Sequence, residues 1–230
     1  MEILNNCLKF AQSLLQQNCV LCGARIRTQN LCAACREHLP YLRQPCCRMC
    51  ALPIPDGELC GACMSNPPAF DVARAAFSYS FPVDALIQAL KYQGNLAIAS
   101  ILAEELLPKA DVELDYLIPV PLSVERLRER GFNQALEIAK ILSQKSGVRL
   151  LANACNRILD SPPQAGLPWK ERAKNIRGAF VCKVELRGKK VALLDDVMTT
   201  GATLNELAKA VRKKGAIEIS AWVVARTLPP

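Results

Sequence analysis

The sequence predicts an α/β protein, a parallel sheet flanked by helices, preceded by a small cysteine-rich metal module. Three observations predict it. Ten of the twelve cysteines fall in the first 63 residues, eight of them in four Cys-x-x-Cys pairs. From residue 72 onward, short apolar runs alternate with segments of helical period, the pattern of a parallel sheet with helices on both faces. And "KVALL" at 190–194 runs straight into Asp195 and Asp196, then into a turn of threonines around Gly201.

Composition sets the bounds. The 230 residues are 51% apolar, enough for the core of one full domain plus a smaller module. Aromatics make up 5%, which argues against a stacking platform for single-stranded nucleic acid. No stretch reaches the roughly 18 apolar residues of a membrane span. Near the start, Ile3, Cys7, Phe10 and Leu14 fall at helical spacing without the basic opening of a signal peptide. A packed amphipathic helix and a cytoplasmic chain are therefore expected. The formal charge of +8 is uneven: residues 126–177 hold eleven Lys and Arg against four Asp and Glu, the segment suited to meet phosphate.

The cysteines repeat. The pairs Cys19/Cys22 and Cys32/Cys35 recur as Cys47/Cys50 and Cys60/Cys63, every member displaced by 28. Leu31/Leu59, Ala34/Ala62 and Pro40/Pro68 keep the same offset, so the module is an internal duplication. Two such pairs supply the four thiolates of a closed tetrahedral zinc site. Two structural zinc ions are expected, one held by Cys19, Cys22, Cys32 and Cys35, the other by Cys47, Cys50, Cys60 and Cys63. An interleaved pairing of the four knuckles is the alternative, and disulfides would need an oxidising compartment. The short interval between pairs predicts tight ribbons with little core of their own. Cys46 has no counterpart upstream and reads as a spare thiol or an alternative ligand; His38, the only histidine, reads as a solvated side chain.

A proline-rich joint at 65–71 separates the expected domains, 1–66 and 70–230. Strands are predicted at 72–80, in "DYLIPV" at 115–120, near 148–158, and at 179–184, 190–194 and 217–226. Helices are predicted over 82–92, 95–107, about 132–145 and after the threonine turn, with an irregular stretch at 160–170. The last helix places Leu204, Leu207, Ala208 and Val211 on one face and stops at Gly215.

Ligands of such sheets sit beyond the carboxyl ends of the strands. Asp195 and Asp196 emerging there can accept hydrogen bonds from ribose hydroxyls or hold a metal-bound sugar. The free N–H groups opening the next helix, the hydroxyls of Thr199, Thr200 and Thr203, and the close approach that Gly201 allows suit a phosphate. The plainer alternative is a capped helix after a strand whose aspartates face water. It leaves two carboxylates, three threonines and a glycine at one spot unexplained.

The whole stretch "VALLDDVMTTGAT" at 191–203 resembles the ribose-phosphate signature of type I phosphoribosyltransferases, and "IPVPLS" at 118–123 resembles the pyrophosphate loop of their amidophosphoribosyltransferase branch. Together with "RERGFNQALEIAK" at 128–140, "RILDSPPQAGLPWKERAKNIRGAF" at 157–180 and the doubled cysteine unit, the chain is similar over essentially its whole length to the ComF/GntX competence family. The resemblance implies a double zinc ribbon followed by a type I phosphoribosyltransferase-like domain, in a protein needed when bacteria take up or use external DNA. It implies that Asp195 and Asp196 hold the ribose hydroxyls and that Thr199, Thr200, Gly201, Ala202 and Thr203 cradle the 5′-phosphate. The backbone of Val120, Pro121 and Leu122 would meet a magnesium-bound pyrophosphate. Arg157, Gln164 and Arg172 fall in a loop that resembles the flap closing over phosphoribosyl pyrophosphate; Gln164 and Arg172 join Asp195 and Asp196 as candidate catalytic residues. Arg126, Arg130, Asn133 and Gln134, just after the pyrophosphate loop, read as ligand-binding rather than as a basic solvated helix start. Lys91 and Tyr92 lie either at the same mouth or outside it, and Cys155 and Cys182 read as core.

Three functions fit this reading. The first is a DNA-uptake protein whose pocket takes phosphoribosyl pyrophosphate or a ribose 5-phosphate group and which contacts single-stranded DNA, with a DNA-uptake helicase or a recombination mediator as protein partner. The second is an active transferase moving phosphoribose to an unnamed base or amine by displacement at the anomeric carbon. The third is a zinc-ribbon adaptor with a vestigial pocket. The chain opens on Met1 and its first cysteine is Cys7, so the glutaminase chemistry of amidophosphoribosyltransferases is not expected.

Overall fold

The computed structural model describes residues 17–26, 30–43, 45–107, 113–159 and 176–229. The expected amphipathic helix at the amino end, the irregular stretch at 160–170, Gln164 and Arg172 lie outside the described residues.

In the first repeat, β1 (Gln17–Asn18) and β2 (Arg25–Ile26) pair antiparallel around the first knuckle, and α1 (Ala33–Glu37) carries the second. The second repeat copies it. The bridge Cys46↔Pro53 stands where Asn18 meets Arg25, and α2 (Gly61–Ser65) stands where α1 does. Cys46 therefore fills a strand position and not a ligand position.

From there the chain runs through β3 (Val72–Ser78), α3 (Val83–Gln93), α4 (Leu96–Leu106), β4 (Tyr116–Pro119), α5 (Val124–Arg130), α6 (Gln134–Ser146), β5 (Arg149–Leu150), β6 (Cys155–Arg157), β7 (Phe180–Cys182), β8 (Lys190–Met198), α7 (Ala202–Arg212) and β9 (Glu218–Arg226). Five strands form a parallel sheet in the order β3-β9-β8-β4-β5. Side chains alternate across it, as the period of two requires. Leu117, Ala192, Leu194, Trp222 and Val224 pack with α3, α4 and α6; Ile118, Val191, Leu193, Ala221 and Val223 pack with α7 on the other face. Burial on both faces explains why β8 and β9 read as near-continuous apolar runs.

Among the described residues, neither ribbon has a core of its own. Cys19, Leu31 and Leu39 join the first of these layers, and Ala51 joins the second. The connecting segment seals the outer edge of β3: the N–H of Leu42 donates to the carbonyl of Ala76 (3.0 Å), that of Ser78 to Pro40 (2.9 Å), and Tyr41 bridges Phe77.

Three expectations need correction. β6 and β7 do not join the parallel sheet; they pair with each other antiparallel, Cys155 opposite Cys182. A helix, α5, stands where none was expected, capped by Ser123, whose hydroxyl accepts from the N–H of Arg126, and stopped by Gly131 at φ 77°. And β8 does not end before the aspartates: it stays paired with β9 through Met198↔Arg226. It is β4 that stops, at Pro119 opposite Leu194, and this leaves the flank of β8 open at Asp195 and Asp196.

Candidate functional site

Each set of four cysteines lies within its own repeat, the ligand atoms all within 4.8 Å of one another. The interleaved pairing does not occur. Burial pushes the Cys19 thiol up, but the N–H groups of Cys32, Cys22 and Leu21 outweigh it and bring it down to about 6. Cys47, likewise buried, is brought down to about 7 by the N–H groups of Cys60, Cys50 and Met49. Their neighbours move the other way. Cys35 is pushed up to about 12 by the hydrogen bonds it shares with Cys22 and Cys32, and burial pushes Cys63 up in the second set. Four thiols at one point cannot all ionise against one another; a divalent cation with four soft ligands removes the conflict. The donor sets fit zinc, tetrahedral and closed, in a structural role.

The second site is a cavity of about 280 Å³ at the carboxyl end of the sheet. Its floor is Asp195 and Asp196, and Val120, Pro121 and Leu122 form one wall. The turn from β8 into α7 supplies Thr199 and Thr203, while Thr200, Gly201 and Ala202 line a small recess that adjoins it through Asp195, Thr199 and Thr203. Gly201 sits at φ 80°, a conformation that a side chain would strain, and the Thr200 hydroxyl accepts from the N–H of Ala202. The remaining N–H groups of that first helical turn have no intrahelical partner, as at any helix start.

Charge in the cavity is mixed. Lys91 from α3 meets Asp196 at 2.9 Å, both side chains mostly buried. Loss of water pushes Asp195 up to about 7, helped by the charge of Asp196 and opposed by Lys91, by the N–H of Asp196 and by Arg126. Arg126, Arg130 and Arg157 also line the space, so four cationic groups face two carboxylates. Arg130 donates to Gln134 Oε1 and stacks over Tyr92, and Arg157 Nε donates to the carbonyl of Leu159. Gln134 is 1% exposed, and its Nε2 has no acceptor among the described residues although the residue lines the cavity. A buried donor of this kind costs free energy until an oxygen reaches it. Asn133 is committed elsewhere: its Nδ2 holds the carbonyl of Val120 and its Oδ1 caps α6.

A double zinc ribbon domain matches residues 10–64. Competence protein F of Haemophilus influenzae is 34% identical over 219 residues, which cover 90% of each chain. The chain belongs to the competence protein F family. The DNA utilization protein YhgH of Escherichia coli K12 is 30% identical over 224 residues, 91% of this chain and 90% of that one. Among solved structures, the glutamine phosphoribosylpyrophosphate amidotransferase from B. subtilis superposes on 54% of this chain and a quarter (25%) of its own, at 19% identity and TM-score 0.39. The purine phosphoribosyltransferase from Pyrococcus horikoshii superposes on 67% of this chain and 88% of its own, at 21% identity and TM-score 0.34. Among the described residues, no helix is long and apolar enough to cross a membrane.

In this family member, every described residue expected at the phosphoribosyl pocket lies around the cavity or its recess. Tyr79, Ala135 and Val197 line it too and were not expected. Lys91, left open by the sequence, is in the pocket; Tyr92 is 70% exposed and supports Arg130 from outside.

Proposed function

We propose that this competence protein F relative serves the uptake or use of external DNA through a pocket that binds phosphoribosyl pyrophosphate with magnesium. The observation that carries the proposal is the meeting, in one cavity, of two adjacent carboxylates, a threonine-lined helix start and the orphaned Nε2 of Gln134. In this reading Asp195 and Asp196 accept the ribose hydroxyls, and the turn 199–203 takes the 5′-phosphate. The backbone of 120–122 and the guanidinium groups of Arg126, Arg130 and Arg157 face the pyrophosphate, with Gln134 Nε2 donating to one of its oxygens. Magnesium, when bound, neutralises part of the pyrophosphate charge. The chemistry this arrangement suits is displacement at the anomeric carbon, with a base or amine as acceptor. Gln164 and Arg172, which lie between β6 and β7 in sequence, are proposed to act on the same ligand, and the units 1–66 and 70–230 to act as ribbon module and ligand-binding domain.

The zinc-loaded protein is to be titrated calorimetrically with magnesium phosphoribosyl pyrophosphate beside the double variant Asp195→Asn/Asp196→Asn. Heat of binding in the wild type and none in the variant is the expected result. A folded wild type that binds nothing overturns the pocket reading and leaves an adaptor for DNA or protein. Contact with single-stranded DNA is proposed for the same side, where exposed Arg128 shares α5 with Arg126 and Arg130. Affinity for an oligonucleotide that falls steeply with salt is expected; a flat response removes this contact.

A further inference from the structure

The two cysteine centres are copies in sequence, yet among the described residues it is the second that is hydrogen-bonded to the turn beside the pocket, through one arginine. Arg226 ends β9 and is 3% exposed. Its Nε donates to the carbonyl of Cys50 at 2.8 Å, inside the second ribbon. Its Nη1 donates to the carbonyls of Met198 (2.8 Å) and Thr227 (2.9 Å), and to that of Thr199. One planar guanidinium thus ties the knuckle of the second centre to the first residues of the turn 198–203. A lysine could not make this fork.

A buried guanidinium needs a counter-charge. Among the described residues Arg226 has no carboxylate partner; the group it reaches instead is the second cysteine centre, where it holds the carbonyl of the ligand Cys50. Four thiolates around one divalent ion leave that centre with a net negative charge. Among the described residues the first centre has no equivalent. Cys22, the counterpart of Cys50, is exposed, and its repeat is anchored through Arg36 to Glu104 and Glu105 on α4.

We infer that Arg226 is a positioning residue that couples occupancy of the second cysteine centre to the shape of the turn 198–203. The consequence for ligand affinity rests on reading that turn as the phosphate site; the coupling itself does not. Metal in the second centre supplies the charge that holds Arg226 in place, and Arg226 holds the carbonyls of Met198 and Thr199. The first centre is silent in this respect.

The test is amide hydrogen exchange across 198–203 in the full chain, for wild type and four variants: Arg226→Met, Arg226→Lys, Cys60→Ser in the second centre and Cys22→Ser in the first. Zinc content and far-ultraviolet dichroism establish that each is folded. Arg226→Met and Cys60→Ser are expected to speed exchange of the turn on the order of tenfold, within the usual range of site-to-site coupling. Arg226→Lys should recover part of the protection, and Cys22→Ser should leave the turn as in wild type. Unchanged exchange in Arg226→Met, or equal effects of Cys22→Ser and Cys60→Ser, overturns the inference. Titration of the same set with magnesium phosphoribosyl pyrophosphate should show the same ranking of affinities. A wild type that shows the exchange coupling but binds no phosphoribosyl pyrophosphate supports the coupling and removes the ligand reading instead.

Discussion

Replacing Lys91 by methionine keeps the apolar stem in place and deletes only the charge that faces Asp196. At the observed 2.9 Å, Coulomb attraction with an effective dielectric constant of about 20 amounts to about 6 kcal/mol. Part of this offsets the desolvation of both groups, and removing one member of a buried pair costs about 3–5 kcal/mol in practice. Arg126 also faces the carboxylates, so the lower end, about 3 kcal/mol, is expected. For a chain of this size, that lowers Tm by about 6–12 °C. The loss depends on pH in a defined direction. Asp195 is pushed up to about 7, so below that pH a proton takes over part of the work of the missing cation, and the penalty shrinks. Thermal unfolding of Lys91→Met at about pH 8 and about pH 5 reads both effects. The double variant Lys91→Met/Asp196→Asn should recover most of the stability, because no lone buried carboxylate remains at that position. A Tm within about 2 °C of wild type at about pH 8, or an equal loss at both pH values, would refute the reasoning.

Asp195→Asn alone should stabilise the ligand-free protein above neutrality. The folded-state pKa is raised, so the stability this group contributes is present below its unfolded value and lost as pH rises through about 7. Thermal unfolding should therefore show the variant ahead of wild type in the alkaline range and level with it near pH 4, and a variant no more stable at alkaline pH would contradict the assignment of the shift to burial and Asp196. Gly215→Ala should cost about 3 kcal/mol in denaturant unfolding, because φ there is +92° and an added Cβ would sit 2.9 Å from Cα of Arg187; a neutral result would mean the 187–188 turn yields freely. Cys22→Ser and Cys60→Ser should each lower zinc from two ions per chain to one, measured by metal release to a chromogenic chelator. A variant that still holds two would show that three thiolates suffice.

Much of this molecule was legible because local physics and function agreed. The 28-residue offset of the cysteines is a metal geometry written twice, and each copy folds the same way. The sheet came through because β8 and β9 are buried on both faces, and α7 because its apolar face is regular. What stayed hidden has specific causes. Helix α5 buries none of its residues, so it has no periodicity to read; only its caps, Ser123 and Gly131, announce it. Lys91 sits in the last turn of α3, where a lysine is ordinary on any solvated helix, and its partner Asp196 is remote in sequence. The extension of β8 past its aspartates depends on β9 alone, because β4 has already stopped. Arg226 stands at the end of the strand predicted over 217–226; of its four carbonyl acceptors, those of Cys50, Met198 and Thr199 come from segments that sequence cannot bring together.

The sealed edge of β3 has a consequence for how the chain is made. β3 leaves the ribosome early, yet its partner inside the sheet, β9, is the last of the five sheet strands to emerge. Through that wait both flanks of an apolar strand would lie open to neighbouring nascent chains. The segment 40–42, translated just ahead, closes one flank at once, provided the ribbons on either side of it have taken up metal and folded. Zinc supply during translation is then a matter of yield: starved cells should accumulate this protein as inclusion bodies, and adding metal after synthesis should rescue little of it.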